Sequence, residues 1–246
     1  MKLGIMQPYL FPYIGYFQLI NHVERWIAFD DVQYISKGWV NRNRIIHPDN
    51  EKQWQYITVP AKKHSRSTKI NEIEITDNVD WKSEIIGKLS IYKKKAPNYS
   101  ITKEFVEECL SFDADNLSDF IINAIRQTCA YVDINTKIDV QSEMGLVIQD
   151  VAHPGQWALK ISEQCGASEY VNPYNGASIF AKQEFDARGI KLRFLKSRLS
   201  PYIQRQGFFT PGLSIIDVLM WNDHLAIKEM LNDDYDVFTA EEIDSD

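Results

Sequence analysis

The first 20 residues contain a short apolar strand that must stop at a proline-rich turn before a helix begins. Residues 3–6 are mostly apolar and suit a buried strand, whereas Pro8 and Pro12 prevent it from continuing as a regular ladder. Gly15 allows a close backbone approach where the following amphipathic segment opens. Because ligands of open α/β sheets bind at the carboxyl ends of the strands, this turn is predicted to lie beside a ligand site.

The rest of the chain alternates between strand-like and helix-like patterns. Runs of apolar or alternating residues predict strands at 25–34, 53–59, 70–75, 136–140, 170–172 and 191–195. Apolar residues that recur every three or four positions predict helices at 85–92, 101–110, 116–129, 156–165, 214–222 and 224–231. Strands 53–59 and 70–75 suggest an antiparallel addition. We therefore expect an α/β fold in a single unit, 1–246, with a mainly helical lobe over 80–135 inserted between its α/β parts.

Charge and composition limit the class of protein. The net charge is −7, with basic segments at 37–44 and 191–205 and an acidic end at 233–246 that is expected to be solvated and frayed. This balance disfavours nonspecific binding of duplex nucleic acid but leaves room for a local anion pocket. Since the sequence has no run of about 18 apolar residues and no signal peptide pattern, we expect no membrane span and a cytoplasmic location.

Several familiar sites are missing from the sequence. The three cysteines are widely spaced and lack a C-x-x-C pair, which argues against a disulfide framework and a structural zinc site. No Walker loop, G-x-G-x-x-G, H-E-x-x-H or G-x-S-x-G motif occurs. The sequence therefore predicts neither a metal site nor a bound cofactor.

Two adjacent carboxylates follow the second predicted strand, at the same edge as the opening turn. They are Asp30 and Asp31, and since neighbouring strand residues point to opposite faces, only one can face a given pocket. Either can bind sugar hydroxyls, orient an amine or hold a divalent cation, or the pair can be a solvated strand end that caps the next turn. We take Asp31 as a catalytic candidate and Asp30 as a substrate-binding candidate.

A dense polar run comes next and is a candidate for gripping phosphate or carboxylate. Its candidate residues are Gln33, Lys37, Trp39, Asn41, Arg42, Asn43 and Arg44. Arginine forks and asparagine amides bind such anions, and a tryptophan offers a stacking face for a base or a sugar. A solvated charged face is the alternative. If the run forms a strand, the two asparagines share one face and the two arginines share the other.

Three further features lie in the second half of the chain. The turn at 172–176 places the amides of Asn172 and Asn175 and the backbone of Gly176 at a strand edge, and an ordinary Asn-Gly turn is the alternative. His153 is a candidate acid or base, although the sequence indicates no partner for it. Cys165 is a candidate thiol, but its place at a predicted helix end raises the pKa of a thiol and favours an inert side chain.

Residues 13–16, Tyr-Ile-Gly-Tyr, resemble in placement the H-I-G-H signature of nucleotide-binding α/β transferases and class I synthetases. The resemblance implies a Rossmann-like, nucleotidyltransferase-like sheet with a nucleotide near this turn. The histidines of that signature stabilise phosphate charge, whereas Tyr13 and Tyr16 offer hydroxyl donors without a cation, which argues against adenylyl transfer. Gln7, Tyr13 and Tyr16 are taken as substrate-binding candidates, and aromatic core packing is the alternative for the tyrosines.

Six segments together closely resemble the WbqC-like family, namely 7–20, 30–34, 38–44, 170–173, 189–194 and 213–219. Members of that family occur among genes for bacterial O-antigen and related surface polysaccharides, which implies a role in making or decorating an unusual sugar. The family pattern leads us to expect Gly-Gly in the turn after Tyr170. This chain has Asn175 and Gly176 there, so substrate contacts in this region are expected to differ.

The resemblance implies a transferase that attaches an acyl or aminoacyl group, for example glycyl, to the amine of a nucleotide-linked amino sugar. The expected partners are that small-molecule substrate and an acyl or aminoacyl donor. Such a transfer needs a carboxylate or base at the amine, donors for the developing oxyanion and a grip on phosphate, for which Asp31, the 172–176 turn and the Arg42/Arg44 pair are candidates. The alternatives are a non-catalytic sugar-nucleotide-binding or scaffold protein of the same pathway, and a glycosyltransferase.

Overall fold

The computed structural model describes residues 1–49, 51–204 and 208–243, and it contains two sheets. The strands are β1 (Lys2–Met6), β2 (Arg25–Ala28), β3 (Arg42–Ile46), β4 (Trp54–Thr58), β5 (Lys137–Val140), β6 (Glu169–Pro173), β7 (Lys191–Ser197) and β8 (Tyr235–Thr239). Six of them form the main sheet in the order β5-β2-β1-β6-β7-β8, and β3 and β4 form a separate ribbon.

Helices cover the sheet and fill the middle of the chain. They are α1 (Ile14–His22), α2 (Trp81–Leu89), α3 (Tyr99–Ser111), α4 (Leu117–Tyr131), α5 (Gly155–Gln164), α6 (Lys182–Asp186), α7 (Ile215–Trp221), α8 (His224–Asp233) and α9 (Ala240–Ile243). The helices predicted from periodicity are therefore present, with ends that differ by a few residues from the predicted ones.

The main sheet is parallel except at one edge. Strand β1 pairs in parallel with β2 on one side and with β6 on the other, and only β8 runs antiparallel to its neighbour β7. After β1 the chain therefore forms β2 on one side of β1, and it later forms β6 on the other side. The predicted α/β class with a Rossmann-like sheet is confirmed by this arrangement.

Alternating side chains of β1 enter two cores on opposite faces of the sheet. Leu3 and Ile5 belong to a cluster with residues of α5 and α6, such as Leu159 and Phe185. Gly4 faces the other side, where Leu19 and other residues of α1 pack. Burial on both faces explains why β1 is apolar at nearly every position.

The inserted helices α2, α3 and α4 share one core with α1. Buried residues of all four helices, from Phe17 in α1 to Ile121 in α4, belong to a single hydrophobic cluster. Helix α4 is capped at its N-terminus by Asn116, whose side-chain oxygen accepts hydrogen bonds from the backbone N–H groups of Ser118 and Asp119. The helical segment therefore packs onto the sheet through its own apolar faces.

Two strand predictions differ from the structure. Strand β2 ends at Ala28, well before the predicted end at residue 34. Two residues later, the buried carboxylate of Asp30 accepts hydrogen bonds from Ser142, after β5. Segment 70–75 is not a strand, because it starts as a short 3₁₀ helix, Ile70–Glu72, and makes only isolated bridges. The antiparallel partner of β4 is instead β3, which contains the Asn-Arg run.

The acidic end of the chain is ordered over most of its length. Strand β8 pairs with β7, and α9 follows it, so the prediction of a frayed end is wrong up to residue 243. Cross-strand pairing satisfies backbone groups that a solvated tail would leave to water. Residues 244–246 of the predicted tail, and Arg205 at the end of the basic segment, lie outside the described residues.

Candidate functional site

A cleft of about 440 Å³ opens at the carboxyl ends of β1, β6 and β7. It is lined by Met6, Tyr9, Pro12, Tyr13, Trp39, Asn43, Arg44, Pro173, Tyr174, Asn175, Leu195, Lys196, Ser197, Leu199 and Gly212. The cleft lies beside the point where the chain crosses from one side of β1 to the other, which is where open α/β sheets bind ligands. Its volume falls within the range of about 300–1,000 Å³ that is usual for small-molecule sites.

The lining of this cleft carries positive charge without compensating negative charge. Arg44 and Lys196 are its cationic residues, and within the described part of the chain none of its lining residues is Asp or Glu. This is notable in a chain whose net charge is −7. The cleft therefore suits an anionic ligand.

Arg44 is held in place by aromatic rings. Its guanidinium carbon lies 5.0 Å from the ring centre of Trp39 and 5.2 Å from that of Trp54, and Nη2 donates a hydrogen bond to the carbonyl oxygen of Gly212 at 3.3 Å. Its Nε atom is buried and has no hydrogen-bond partner among the described residues. Stacking thus fixes the guanidinium and leaves part of its donor capacity unused.

Lys196 lines the same cleft from near the end of β7. Its ammonium nitrogen lies 4.6 Å from the ring centre of Tyr174 and 5.9 Å from that of Phe238. Asp236, its neighbour across the strand pair, forms an ion pair with Arg198 instead, at 2.5 Å. Lys196 therefore has no salt bridge within the described ranges.

Tyrosines form the floor beside the opening turn. Tyr9 and Tyr13 line the cleft, and burial raises the pKa of both hydroxyls, so that each remains a protonated donor at neutral pH. Tyr16 is fully buried and donates to the backbone carbonyl of Gln7 at 2.8 Å. Of the predicted residues of this turn, Tyr13 lines the cleft, whereas Tyr16 and Gln7 do not.

The ring of Tyr13 explains the glycine of the same motif. A Cβ atom at Gly15 would lie 2.4 Å from the Tyr13 ring, which lies across this glycine at the start of α1. A side chain at this point would therefore displace the Tyr13 ring, so the close approach at Gly15 involves a side chain and not the backbone approach that the sequence predicted.

The Asn-Arg run divides into residues of the cleft and residues of the ribbon. Trp39, Asn43 and Arg44 line the cleft. Asn41 donates to the carbonyl of Val59 at 2.8 Å, and Arg42 donates to the carbonyls of Lys37 and Gly38.

Both arginines lie on one face of the ribbon. Arg42 lies over the ring of Tyr56 at 4.1 Å, and Arg44 lies over that of Trp54, the next ring on the same face of β4. Lys37 is exposed and adopts a positive φ of 63° in the loop before β3. Arg42, Asn41 and Lys37 thus shape the ribbon and its loop rather than the cleft.

Asp30 is a buried anchor between three elements. Its carboxylate accepts hydrogen bonds from the backbone N–H and the hydroxyl of Ser142, at 3.0 and 2.6 Å, and from the hydroxyl of Ser118 at 3.4 Å. These bonds tie the end of β2 to the segment after β5 and to α4. With its oxygens used in this way, Asp30 does not line the cleft.

Asp31 contacts different residues from Asp30, as expected for two adjacent side chains of an extended segment. It forms an ion pair with Lys69 at 2.6 Å, and this hydrogen bond raises the pKa of Lys69. Asn71 lies 3.4 Å from the same oxygen of Asp31. Gln33 is exposed and donates to the carbonyl of Arg66. Neither Asp31 nor Gln33 lines the cleft.

The turn after β6 contributes one of its predicted residues to the cleft. Asn175 lines it, together with Tyr174. Asn172 is buried and accepts a hydrogen bond from the hydroxyl of Tyr170 at 2.9 Å, and Gly176 lies directly against its amide. Asn172 and Gly176 therefore pack within the turn and do not line the cleft.

The remaining catalytic candidates lie in other surroundings. His153 precedes α5, and its Nε2 lies 2.9 Å from the carboxylate of Glu184. Gln156 donates to the same carboxylate, and the hydrogen bonds from Gln156 and then from His153 lower the pKa of Glu184. Cys165 caps the other end of α5, near Arg25 at the start of β2, and burial raises its pKa. Neither His153 nor Cys165 lines the cleft.

Several cleft residues had no signal strong enough to be selected from the sequence. They are Tyr9, Tyr174, Lys196, Ser197 and Gly212. Tyr9 and Tyr174 are part of aromatic or turn segments that packing alone explains. Lys196 directly follows the strand predicted at 191–195, and the pattern does not indicate what its side chain faces.

The described residues contain no group of three His, Cys, Asp or Glu side chains placed to hold a metal ion. In the same part of the chain no helix is long and apolar enough to span a membrane.

Comparison with known proteins identifies the family of this chain and one relative. The chain is 30% identical over 227 residues to a Mycobacterium tuberculosis protein named "Uncharacterized protein Rv1507c", and the alignment covers 89% of this chain and 92% of that protein. No solved structure matches the chain. The family model for the WbqC-like protein family matches residues 7–229, which run from the turn directly after β1 through most of α8. The chain therefore belongs to the WbqC-like protein family.

Proposed function

We propose that the protein is a transferase of surface-polysaccharide synthesis that binds a nucleotide-linked amino sugar in the cleft and attaches an acyl or aminoacyl group to its amine. The observation that supports the proposal is the lining of the cleft, which combines Arg44 and Lys196 with aromatic rings and has no carboxylate in the described chain. Cations bind phosphate, and aromatic faces bind bases and sugar rings. A nucleotide-linked sugar contains a phosphate, a base and a sugar ring, so it can use both kinds of contact.

The chemistry of the transfer sets requirements on the site. As the amine nitrogen bonds to the acyl carbon, the amine must lose a proton and the bond from that carbon to the donor's carrier must break, with the released carrier taking up a proton. The carbonyl oxygen that becomes an oxyanion on the way must receive hydrogen bonds. The sequence suggested Asp31 for the amine, but Asp31 is paired with Lys69 and does not line the cleft, so its part in the transfer is a separate question that substitution answers. The hydroxyls of Tyr9 and Tyr13, kept protonated by their raised pKa values, are suitable donors to the oxyanion.

A second function has an observation in its favour. Asp31, His153 and Cys165 do not line the cleft, and Asp31 is already paired with Lys69. This favours a protein that binds a sugar nucleotide without transforming it. In that case the cleft would hold its ligand for another enzyme of the pathway.

The test is incubation of the purified protein with a panel of nucleotide-linked amino sugars and with acyl and aminoacyl donors, followed by mass spectrometry. The transferase predicts a mass gain equal to the acyl group on the sugar nucleotide. Binding of a sugar nucleotide by calorimetry without any mass gain across the panel would support the non-catalytic alternative. Absence of both binding and product would contradict both functions.

A pair of variants tests the role of Asp31. Asp31→Asn removes the carboxylate charge, and Lys69→Met breaks the same ion pair while the carboxylate remains. If Asp31 acts on the amine, the asparagine variant should lose about 100-fold or more in turnover, whereas the methionine variant should keep most of it. Equal loss in both variants would mean that the ion pair matters only for structure.

A further inference from the structure

The cleft has charge and donor features that narrow the class of ligand. Arg44 and Lys196 come from different elements, β3 of the ribbon and β7 of the main sheet, yet both line the same cavity. Each is held over two aromatic rings rather than by a carboxylate. Neither cation forms a salt bridge among the described residues, although Asp236 lies across the strand pair from the exposed Lys196. Two such cations on one cleft suit a ligand with two negative charges.

The two cations also differ in chemistry. A guanidinium presents a planar fork that can hold two oxygens of one phosphate, whereas an ammonium acts as a compact charge that tolerates many geometries. The walls thus offer one directional contact and one point charge. This combination suits two linked phosphates better than a single one.

Unused hydrogen-bond donors accompany both cations. Nε of Arg44 is buried without a partner, and so is the hydroxyl of Ser197, which follows Lys196 and also lines the cleft. Buried polar groups normally have partners, so an unpaired donor beside each cation points to an acceptor on a ligand.

We infer that the cleft contains a diphosphate subsite, in which Arg44 and Lys196 hold the two phosphates of a nucleoside diphosphate-linked sugar and Ser197 donates to one of them. The identity of the sugar in this inference rests on the proposed function, whereas the binding of a diphosphate does not depend on it. It selects sugars carried on nucleoside diphosphates over sugars carried on nucleoside monophosphates.

The inference also assigns a role to a strand outside the family match. Phe238 belongs to β8, beyond residue 229 where the family match ends, and its ring supports the ammonium of Lys196. The C-terminal strand therefore helps to orient one of the two cations of the subsite.

The test is calorimetric titration of the full chain with inorganic pyrophosphate and, separately, with inorganic phosphate. Pyrophosphate is expected to bind at least about tenfold more tightly than phosphate, because it can contact both cations. Lys196→Gln should weaken pyrophosphate binding by about tenfold, the effect of losing one charge-assisted hydrogen bond. Lys191→Gln is the matched control, because Lys191 is exposed at the other end of the same strand, and it should bind pyrophosphate as the wild type does.

Arg44→Lys provides a second measurement that keeps the charge and removes the fork. It should weaken the binding of pyrophosphate and of phosphate alike, because the fork is lost while both charges remain, and thermal melting should show a folded protein. Equal binding of pyrophosphate and phosphate by the wild type, or equal weakening by the two lysine variants, would overturn the subsite. A protein that binds pyrophosphate as expected but transfers no acyl group would retain the subsite and lose the proposed function.

Discussion

The side-chain amide of Asn43 donates a hydrogen bond to the carbonyl oxygen of Phe11 at 3.1 Å, and so joins the Asn-Arg run to the opening turn. The same amide also donates to Leu10 at 3.0 Å, and the hydroxyl of Ser214 donates to the other side of the Phe11 carbonyl at 2.7 Å. Phe11 is buried and has a positive φ of 38°, a conformation that costs free energy for a residue with a side chain. These hydrogen bonds stabilise the turn that carries Tyr9 and Tyr13 into the cleft.

We expect Asn43→Ala to destabilise the protein by about 2 kcal/mol, because it removes two buried hydrogen bonds and leaves a carbonyl without its donor. Urea unfolding measures this difference. Asn41→Ala is the control, since Asn41 makes one hydrogen bond at a half-buried position of the same run and should cost about 1 kcal/mol or less. A larger loss for Asn41 than for Asn43 would refute the anchoring role.

The two neighbouring aspartates should differ sharply in their contribution to stability. Asp30→Ala leaves the hydroxyls of Ser118 and Ser142 without their buried acceptor and should cost about 3 kcal/mol. Asp31→Ala breaks a partly exposed ion pair with Lys69 and should cost less than about 1 kcal/mol. Chemical unfolding of both variants at the same pH checks the contrast, and equal losses would contradict it.

Two glycines at different sites differ in the space available for a side chain. A Cβ atom at Gly155, the first residue of α5, would lie 2.4 Å from the carbonyl oxygen of Ile179, so Gly155→Ala should destabilise the fold by about 2 kcal/mol or more. Gly87 is exposed in α2 with no atom near such a Cβ, so Gly87→Ala should stabilise the protein by about 0.5–1 kcal/mol. Thermal unfolding of both variants tests the two signs.

Stability should depend on pH through a buried carboxylate. Asp217 in α7 is fully buried, and burial raises its pKa to about 6, although hydrogen bonds from Tyr92, Tyr202 and Gln204 oppose the rise. The unfolded chain, with a pKa near 3.8 for this group, releases the proton at lower pH than the folded chain does. The contribution of Asp217 to the free energy of unfolding is therefore most favourable below pH 3.8. It falls by about 3 kcal/mol as the pH rises through about 6.

Comparison of the wild type with Asp217→Asn isolates this contribution, because asparagine does not titrate. The difference in unfolding free energy between the two proteins should shrink or reverse in favour of the variant between pH 4 and pH 7. Parallel stability curves over this interval would show that Asp217 does not carry a raised pKa.

The thiols should be unreactive in the native protein. Burial raises the pKa of Cys109 and of Cys129 to about 12 each, and it also raises the pKa of the half-buried Cys165. A thiol reagent at pH 8 should therefore label Cys165 more slowly than free cysteine and the other two only after unfolding. Labelling of Cys165 faster than free cysteine, followed by mass spectrometry, would instead indicate an activated nucleophile.

The strand, turn and helix at the start of the chain could be predicted because each rests on local rules. Apolar residues form β1, the prolines end it, and the period of apolar residues marks α1 and the later helices. The Asn-Arg run was predicted to contact ligand, and Arg44 and Asn43 do line the cleft. The sequence could not separate them from Arg42 and Asn41, because that distinction depends on which residues of β4 and of the opening turn lie against each side chain.

The sequence by itself determined the α/β class, the position of most helices and the family to which the chain belongs, since these depend on local propensity and on motifs. Only the tertiary structure decided that Lys196 and Tyr174 meet Arg44 in one cleft, and that Asp30 and Asp31 are used elsewhere. These residues are far apart in the chain, and their distances follow from the strand order of the sheet. Strand order is set by long-range packing, which no short stretch of sequence encodes.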